Sequence, residues 1–468
     1  MQYSDDVLFY LLDSIEVLPS NGIDVIECLK PDTNAKIPCK TLKYAIESTT
    51  RNIGIQYLAS KHSGNLSIKV PNVKRQININ GQHTKFHSRT GPINIKLMSS
   101  KYNPGSFLVM SNFSFEDVTI ILSQVSIHFK HCTFRNVDMH NVNEVMHQRF
   151  REISPQEYYW HLQTQFSKHL LFVLLSDTMW DIRQNSSVIR SNVLQFRHLQ
   201  SIHLVIKHTN FYSTKIIIQC YRFVLHLSLV KFVENNQQNL SYLKILPIID
   251  LFGVNPKHYT FIHRNAIILK NVTMQWSPSF PNFQSSTPFL DVGLHNVLVS
   301  MTDCRFKNTE TVLNIERKYK YSEDSEIVKQ YMARTKKNKD GLFLDVSISN
   351  STFYNTTSLR NGGSINIHIP NFATLAVLGV IKITNCKFYL LKSKGSGGAI
   401  YLETNHYHFV NNKSPTVEIL DSSFTLCEAK EKGGCLFLGK YFNATLENCH
   451  FENNRTSKSE VGGLFIYC

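Results

Sequence analysis

Three ionisable residues fall at matching places in a repeated segment, where together they could act on a polymer: Asp345, His368 and Glu403. In Gly397-Gly398-Ala399-Ile400-Tyr401-Leu402-Glu403 the apolar residues alternate, so a strand that buries Ile400 and Leu402 turns Tyr401 and Glu403 outward. The same alignment gives Asn366 and His368 one copy earlier and Phe437 and Gly439 one copy later. It also pairs Phe343 with Asp345 in Leu342-Phe343-Leu344-Asp345, and Pro288-Phe289-Leu290-Asp291 repeats that pattern. One face is therefore expected to carry an aromatic column of Phe289, Phe343, Tyr401 and Phe437 beside a polar column of Asp291, Asp345, His368 and Glu403. If the copies stack as neighbouring strands, Asp345 and Glu403 stand about 10 Å apart with His368 between them, near the upper end of the carboxylate spacing for inverting glycoside hydrolysis. Aromatic faces stack on sugar rings and acids bond hydroxyls, so the same columns also suit glycan binding without turnover. The alternative is structural: loops cover the aromatics and the acids end solvated strands.

The elements that position these residues come from a repeat. Alternating apolar residues run into a polar corner and then a phenylalanine in Val125 to Phe134, Val297 to Phe306, Ile381 to Phe388 and Ala444 to Phe451. Looser copies end at Phe211, Met274, Phe353 and Phe424. Period-two alternation is a strand signature, and the polar triplet supplies the turn. A second segment follows each late copy, with glycine pairs at Gly362-Gly363, Gly397-Gly398, Gly433-Gly434 and Gly462-Gly463, spaced 35, 36 and 29 residues apart. A repeat of this length with short strands and no helical period predicts a parallel β-solenoid whose coils each stack on the last. Segments 140–165 and 315–340 interrupt the pattern and are expected to loop out as insertions.

The Cys-x-Phe corner followed by Gly-Gly-Ala-Ile resembles the repeats of right-handed parallel β-helix proteins of the pectin-lyase-like superfamily. It is most similar to the Gly-Gly-Ala-Ile and Phe-x-x-Asn repeats of polymorphic outer-membrane adhesins and related large animal surface proteins. Gly397 to Ile400 matches the first motif, and Phe232 to Asn235 and Phe451 to Asn454 match the second. Cys39-Lys40-Thr41-Leu42-Lys43-Tyr44-Ala45-Ile46 resembles the helix that caps the first coil in this superfamily, and Leu42, Ala45 and Ile46 have the spacing of one helix face. The resemblance is clear over residues 290–468, weaker over 60–135 and poor over 140–260. It implies an all-β, right-handed parallel β-helix with residues 1–27 as an N-terminal extension, 28–60 as a cap with a helix, and 61–468 as coils. Polygalacturonase-like members carry Asn-Thr-Asp, Asp-Asp, His-Gly and Arg-Ile-Lys signatures on successive coils; the repeats here carry none of them, and the one Asp-Asp pair is Asp5-Asp6.

Composition bounds the partners. The 468 residues include 50 Lys and Arg against 35 Asp and Glu, a formal charge of +15 that favours acidic partners such as anionic polysaccharide. Part of that excess is local: Arg317, Lys318, Lys320, Lys329, Arg334, Lys336, Lys337 and Lys339 crowd one polar stretch, read first as a solvated loop and second as a docking patch. No RNA-binding signature accompanies the charge, so nucleic acid is not expected as a partner. No apolar run is long enough to span a bilayer. The N-terminal apolar patch has an acidic flank, unlike a signal peptide. Asn-x-Ser/Thr sequons at Asn65, Asn112, Asn185, Asn239, Asn271, Asn350, Asn355, Asn412, Asn443 and Asn454 exceed the roughly six expected by composition. Cys28 and Cys39 bracket a short polar loop as a local disulfide would, and Cys427 with Cys435 forms the second candidate pair. These features predict an extracellular or cell-surface location and a chain that continues beyond Cys468, with any membrane attachment supplied by other segments. No Cys-x-x-Cys or clustered histidine is present, so neither a metal nor a cofactor is expected.

The combined expectation is a non-catalytic adhesion or recognition ectodomain that binds an anionic glycan or a cell-surface protein. The alternatives are a polysaccharide-active hydrolase or lyase and a structural spacer.

Overall fold

The computed structural model describes residues 14–24, 29, 38–48, 52–70, 75–87, 91–99, 106–141, 170–181, 192–234, 242–245, 265–276, 288–293, 297–316, 344–369, 379–404, 416–440, 442–458 and 462–466. The insertion near 140–165, apart from its first two residues, and the whole basic stretch from Arg317 to Lys339 lie outside them. Contacts divide the chain into two units, residues 1–212 and 213–468. Each is an all-parallel β-solenoid.

In the first unit, Ser14–Val17 pairs in parallel with Ile53–Tyr57, which is followed in turn by Arg75–Phe86, Ser106–Glu116, Ser126–Lys130 and Leu170–Ser176. The first strand thus belongs to the sheet itself, inside the segment read from sequence as an extension. A second ladder runs through Leu66–Lys69, Ile93–Met98, Val118–Ser123 and Asp138–Asn141. The helix Leu42–Ser48 buries Leu42, Ala45 and Ile46. The hydroxyl of Thr41 accepts the Tyr44 N–H at 3.1 Å, which caps the helix start.

Each coil of the second unit gives three strands to the main sheet, and the later coils add a short fourth, Thr357–Ser358, Lys392–Ser393, Glu428–Ala429 and Arg455–Thr456, in a separate parallel sheet. The first ladder is Asn265–Lys270, Val297–Thr302, Leu344–Ser349, Val380–Thr384, Thr416–Leu420 and Asn443–Glu447. The second is Lys231–Glu234, Thr273–Trp276, Arg305–Lys307, Thr352–Tyr354, Lys387–Tyr389, Ser423–Thr425 and His450–Glu452. The third is Tyr242–Ile245, Leu290–Val292, Leu313–Glu316, Ile365–Ile369, Ile400–Thr404, Leu436–Leu438 and Leu464–Ile466.

Two devices set this geometry. Between the first and second ladders the chain turns through one left-handed residue, Asp303, Asn350, Asn385, Asp421 or Asn448, each at φ between 50° and 56°. Asn and Asp tolerate that conformation better than other residues with a Cβ. A small buried residue follows each corner, Cys304, Ser351, Cys386, Ser422 and the half-buried Cys449, and the Ser351 and Ser422 hydroxyls accept the N–H of Cys304 and Cys386 at 3.1 Å. Then comes an aromatic: Phe306, Phe353, Phe388 and Phe424 are buried in the core and form with the exposed Phe451 a continuous stack with centroids 5.4, 4.8, 4.7 and 5.1 Å apart. The glycine pairs turn the chain into the third ladder. Gly397 has φ +68°, and a Cβ on Gly398 would stand 1.8 Å from the carbonyl oxygen of Gly434, so main chain packs directly on main chain.

Candidate functional site

The third ladder brings part of the predicted constellation together. His368 pairs in register with Glu403 on one side and with Glu316 on the other. His368 Nε2 lies 3.6 Å from a Glu403 carboxylate oxygen, and the Tyr401 hydroxyl donates a hydrogen bond to the same carboxylate. Burial, that hydrogen bond, and the charges of Glu403, Glu431 and Glu316 push the Tyr401 hydroxyl far above its usual range, so it stays a donor. Glu316 accepts from Arg360 Nη1 at 3.2 Å. Two carboxylates therefore flank a half-buried imidazole over two coil steps, about 10 Å between backbones.

Asp345 is not part of this group. It lies in the first ladder opposite Leu298, where its carboxylate accepts the Val380 N–H at 3.3 Å. Leu344–Ser349 leads into the Asn350 corner and so belongs to the segment before a core phenylalanine, whereas the strand in register with His368 one coil earlier in its own ladder is Leu313–Glu316. Glu316 thus takes the place assigned to Asp345, and the repetition of Leu-Asn-Ile-Glu by Ile-Asn-Ile-His was the signal for it.

The expected aromatic face also changes. Phe289 is a core residue, packed edge-on against Phe232 at 5.1 Å and tilted against Phe306 at 5.6 Å. Its neighbour Asp291 sits in register with Asn314, Asn366, Tyr401 and Phe437. Asn314 donates to Asp291 at 2.8 Å and Asn366 to Asn314 at 2.6 Å, a buried amide ladder. Tyr401, Phe437 and Phe465 continue it as stacked rings 4.8 and 5.0 Å apart. Tyr401 and Phe437 are only 6% and 8% exposed, so their faces are not open to a sugar ring. Phe343 lies outside the described residues.

An open aromatic and cationic face exists on the second ladder instead. Register aligns Arg305, Thr352 and Lys387 in one outward row and Lys307, Tyr354 and Tyr389 in the next. The two tyrosines stack at 5.5 Å with planes 12° apart, and Lys307 Nζ sits 5.5 Å from the Tyr354 centroid. Tyr389 is 37% exposed. Arg305, Lys307 and Lys387 are exposed, and among the described residues no carboxylate pairs with them. The signal was present in the repeat, as the residues flanking Phe306, Phe353 and Phe388, which pleating must turn away from the core.

Cys132, Cys304, Cys386, Cys427 and Cys449 each follow a left-handed corner residue. Cys427 and Cys435 are both free and buried, not a disulfide. Each thiol donates instead to main chain, Cys427 to Thr425 O at 3.6 Å and Cys435 to Gly463 O at 2.9 Å. Cys39 is disulfide-bonded, whereas Cys28 lies outside the described residues. Several sequon asparagines serve the turns. Asn112, Asn271, Asn350 and Asn355 hold left-handed corners. Asn112 donates to Asn80, Asn355 to Asn308 and Asn454 to the Phe424 carbonyl, so these amide nitrogens already have acceptors. Asn65 and Asn443 are exposed. Asn185, Asn239 and Asn412 lie outside the described residues. The sequon excess thus has a second origin, because an Asn corner followed by a Ser or Thr strand spells the same tripeptide.

No family model matches the chain, and no curated protein or solved structure matches it either.

Proposed function

We propose that this solenoid is a non-catalytic recognition domain of a secreted or cell-surface protein, and that it binds an anionic glycan across the second ladder. The observation that carries the reading is the stack of half-buried Tyr354 on exposed Tyr389, flanked by Arg305, Lys307 and Lys387, which have no carboxylate partner among the described residues. Ring faces accept the apolar face of a pyranose, while cations spaced by coil steps of about 4.8 Å meet successive carboxylates or sulfates. The resemblance to pectin-lyase-like β-helices and to adhesin repeats is consistent with it, although a fold does not fix a function. The test is retention on an immobilised sulfated polysaccharide. Wild type should elute at a salt concentration that falls sharply in Arg305→Glu/Lys387→Glu, and Tyr389→Ala should weaken retention without changing its salt dependence. Salt-independent retention, or variants that elute with wild type, would sink the proposal. Absence of any retention would favour a spacer role.

A second reading rests on Glu316, His368 and Glu403, which have the order and separation that acid-base hydrolysis of a polysaccharide uses. It requires that Glu403→Gln abolish turnover of a polyuronate that wild type cleaves.

A further inference from the structure

A separate cluster in the first unit has the makings of a metal site. The strand Arg75–Phe86 runs in register with Ser106–Glu116, Lys85 beside Ser114 and Phe86 beside Phe115, so His87 reaches the level of Glu116. The Phe86 and Phe115 rings stack at 5.2 Å beneath these residues and fix the two strand ends relative to each other. Asp117 follows as a left-handed corner at φ 55°. One ligand atom from each of His87, Glu116 and Asp117 lies within 4.8 Å of the other two. The main chain around them is held, with the His87 N–H donating to His62 O and the Asp117 N–H to Arg135 O, both at 3.0 Å.

Three further features point to a cation. Glu116 is only 4% exposed, and the Lys85 ammonium already offsets its carboxylate, so this position holds a cationic group as it stands. His87 Nδ1 is enclosed by the fold and has no hydrogen-bond partner. Asn136 Nδ2 donates to Asp117 Oδ1 at 3.2 Å, which orients that carboxylate as outer partners of metal ligands do.

We propose that His87, Glu116 and Asp117 bind a divalent transition-metal ion of the zinc class. One imidazole nitrogen with two carboxylates suits such an ion, whereas calcium and magnesium favour all-oxygen shells of six or more ligands. Bonds of about 2.1 Å in a tetrahedral shell bring ligand atoms to about 3.4 Å from each other, so the three side chains close inward on binding. The fourth position is left to water or a ligand. The Lys85 ammonium, which pairs with Glu116, is the group the metal must displace. Lys85 sits on a half-exposed flexible stem and can swing into solvent. Because His87 comes from one coil and Glu116 and Asp117 from the next, a bound ion would also tie successive coils together.

The test uses the full chain, titrated with Co2+ by visible absorption and with Zn2+ by calorimetry. Wild type should develop the intense absorption of four-coordinate cobalt at one equivalent. His87→Ala and Asp117→Asn should each lower affinity at least tenfold, and Lys85→Met should raise it. The 20 histidines of the chain can bind zinc elsewhere, so the difference between variant and wild type is the readout. Circular dichroism without metal checks that each variant folds, and Lys85→Met keeps the test decisive should His87→Ala not fold. No cobalt absorption in wild type, or an affinity that none of the foldable variants changes, overturns the assignment.

Discussion

Glu310 gives the sharpest energetic test of the fold. It follows the Asn308 corner and the buried Thr309, its main chain bridges to Thr357 in the next coil, and its side chain is 5% exposed. Burial pushes its pKa from 4.5 to about 8. The native state therefore keeps a proton that the unfolded chain releases above pH 4.5. Where the native state binds more protons, stability falls as pH rises. The contribution is fully present below about pH 4.5 and is lost by about pH 8, at about 1.4 kcal/mol per pH unit, or about 5 kcal/mol in all as an upper bound. Glu310→Gln preserves shape and removes the ionisation. The variant should match wild type at pH 5 and exceed its local stability by several kcal/mol at pH 9. A solenoid need not unfold as one unit, so the measurement is hydrogen exchange at Leu313–Glu316 in both proteins at pH 5, 7 and 9. Equal protection at every pH, or a variant less protected at pH 9, would refute the reasoning.

Phe388→Ala should destabilise the second unit by about 3–5 kcal/mol in urea unfolding, because its ring stacks on both Phe353 and Phe424 in the core. Gly398→Ala should abolish soluble expression or lower the thermal midpoint sharply, since its Cβ would overlap the Gly434 carbonyl, whereas Gly462→Ala, with open space around it, should cost less than about 1 kcal/mol. The thiols of Cys132 and Cys427, pushed up to about 12 by burial, and those of Cys304 and Cys386, pushed up to about 11, should resist a thiol reagent at pH 8 until denaturant is added. Fast labelling of native protein would contradict the corner packing.

The fold was legible because the same corner chemistry recurs. Cys304-Arg305-Phe306 and Cys386-Lys387-Phe388 each announce a corner, an outward cation and a core ring, and the solenoid puts them in register. The site was less legible because register depends on which strand of a coil a segment supplies. Leu342 to Asp345 and Pro288 to Asp291 look alike, yet Asp345 lies in the first ladder and Asp291 in the third, with Phe289 one step before its strand and turned into the core. Only the residues after each segment, Asn350 in one case and Gly293 in the other, separate them. Alternation also reports which side of a strand a residue takes and not whether that side is covered. Tyr401 and Tyr389 both point away from the core, but only Tyr389 reaches solvent.

The stacking of identical corners makes length a quantity this chain changes in whole steps. Val346 meets Ile381 after 35 residues, Val380 meets Thr416 after 36, and Thr416 meets Asn443 after 27. Excising or duplicating one such period leaves phenylalanine above phenylalanine and corner above corner. Removing half a period sets strands against turns and exposes the ring stack. Unequal crossing-over within the gene would therefore yield longer or shorter working proteins, and descendants of one ancestor would differ in coil number before they differed in the make-up of a coil.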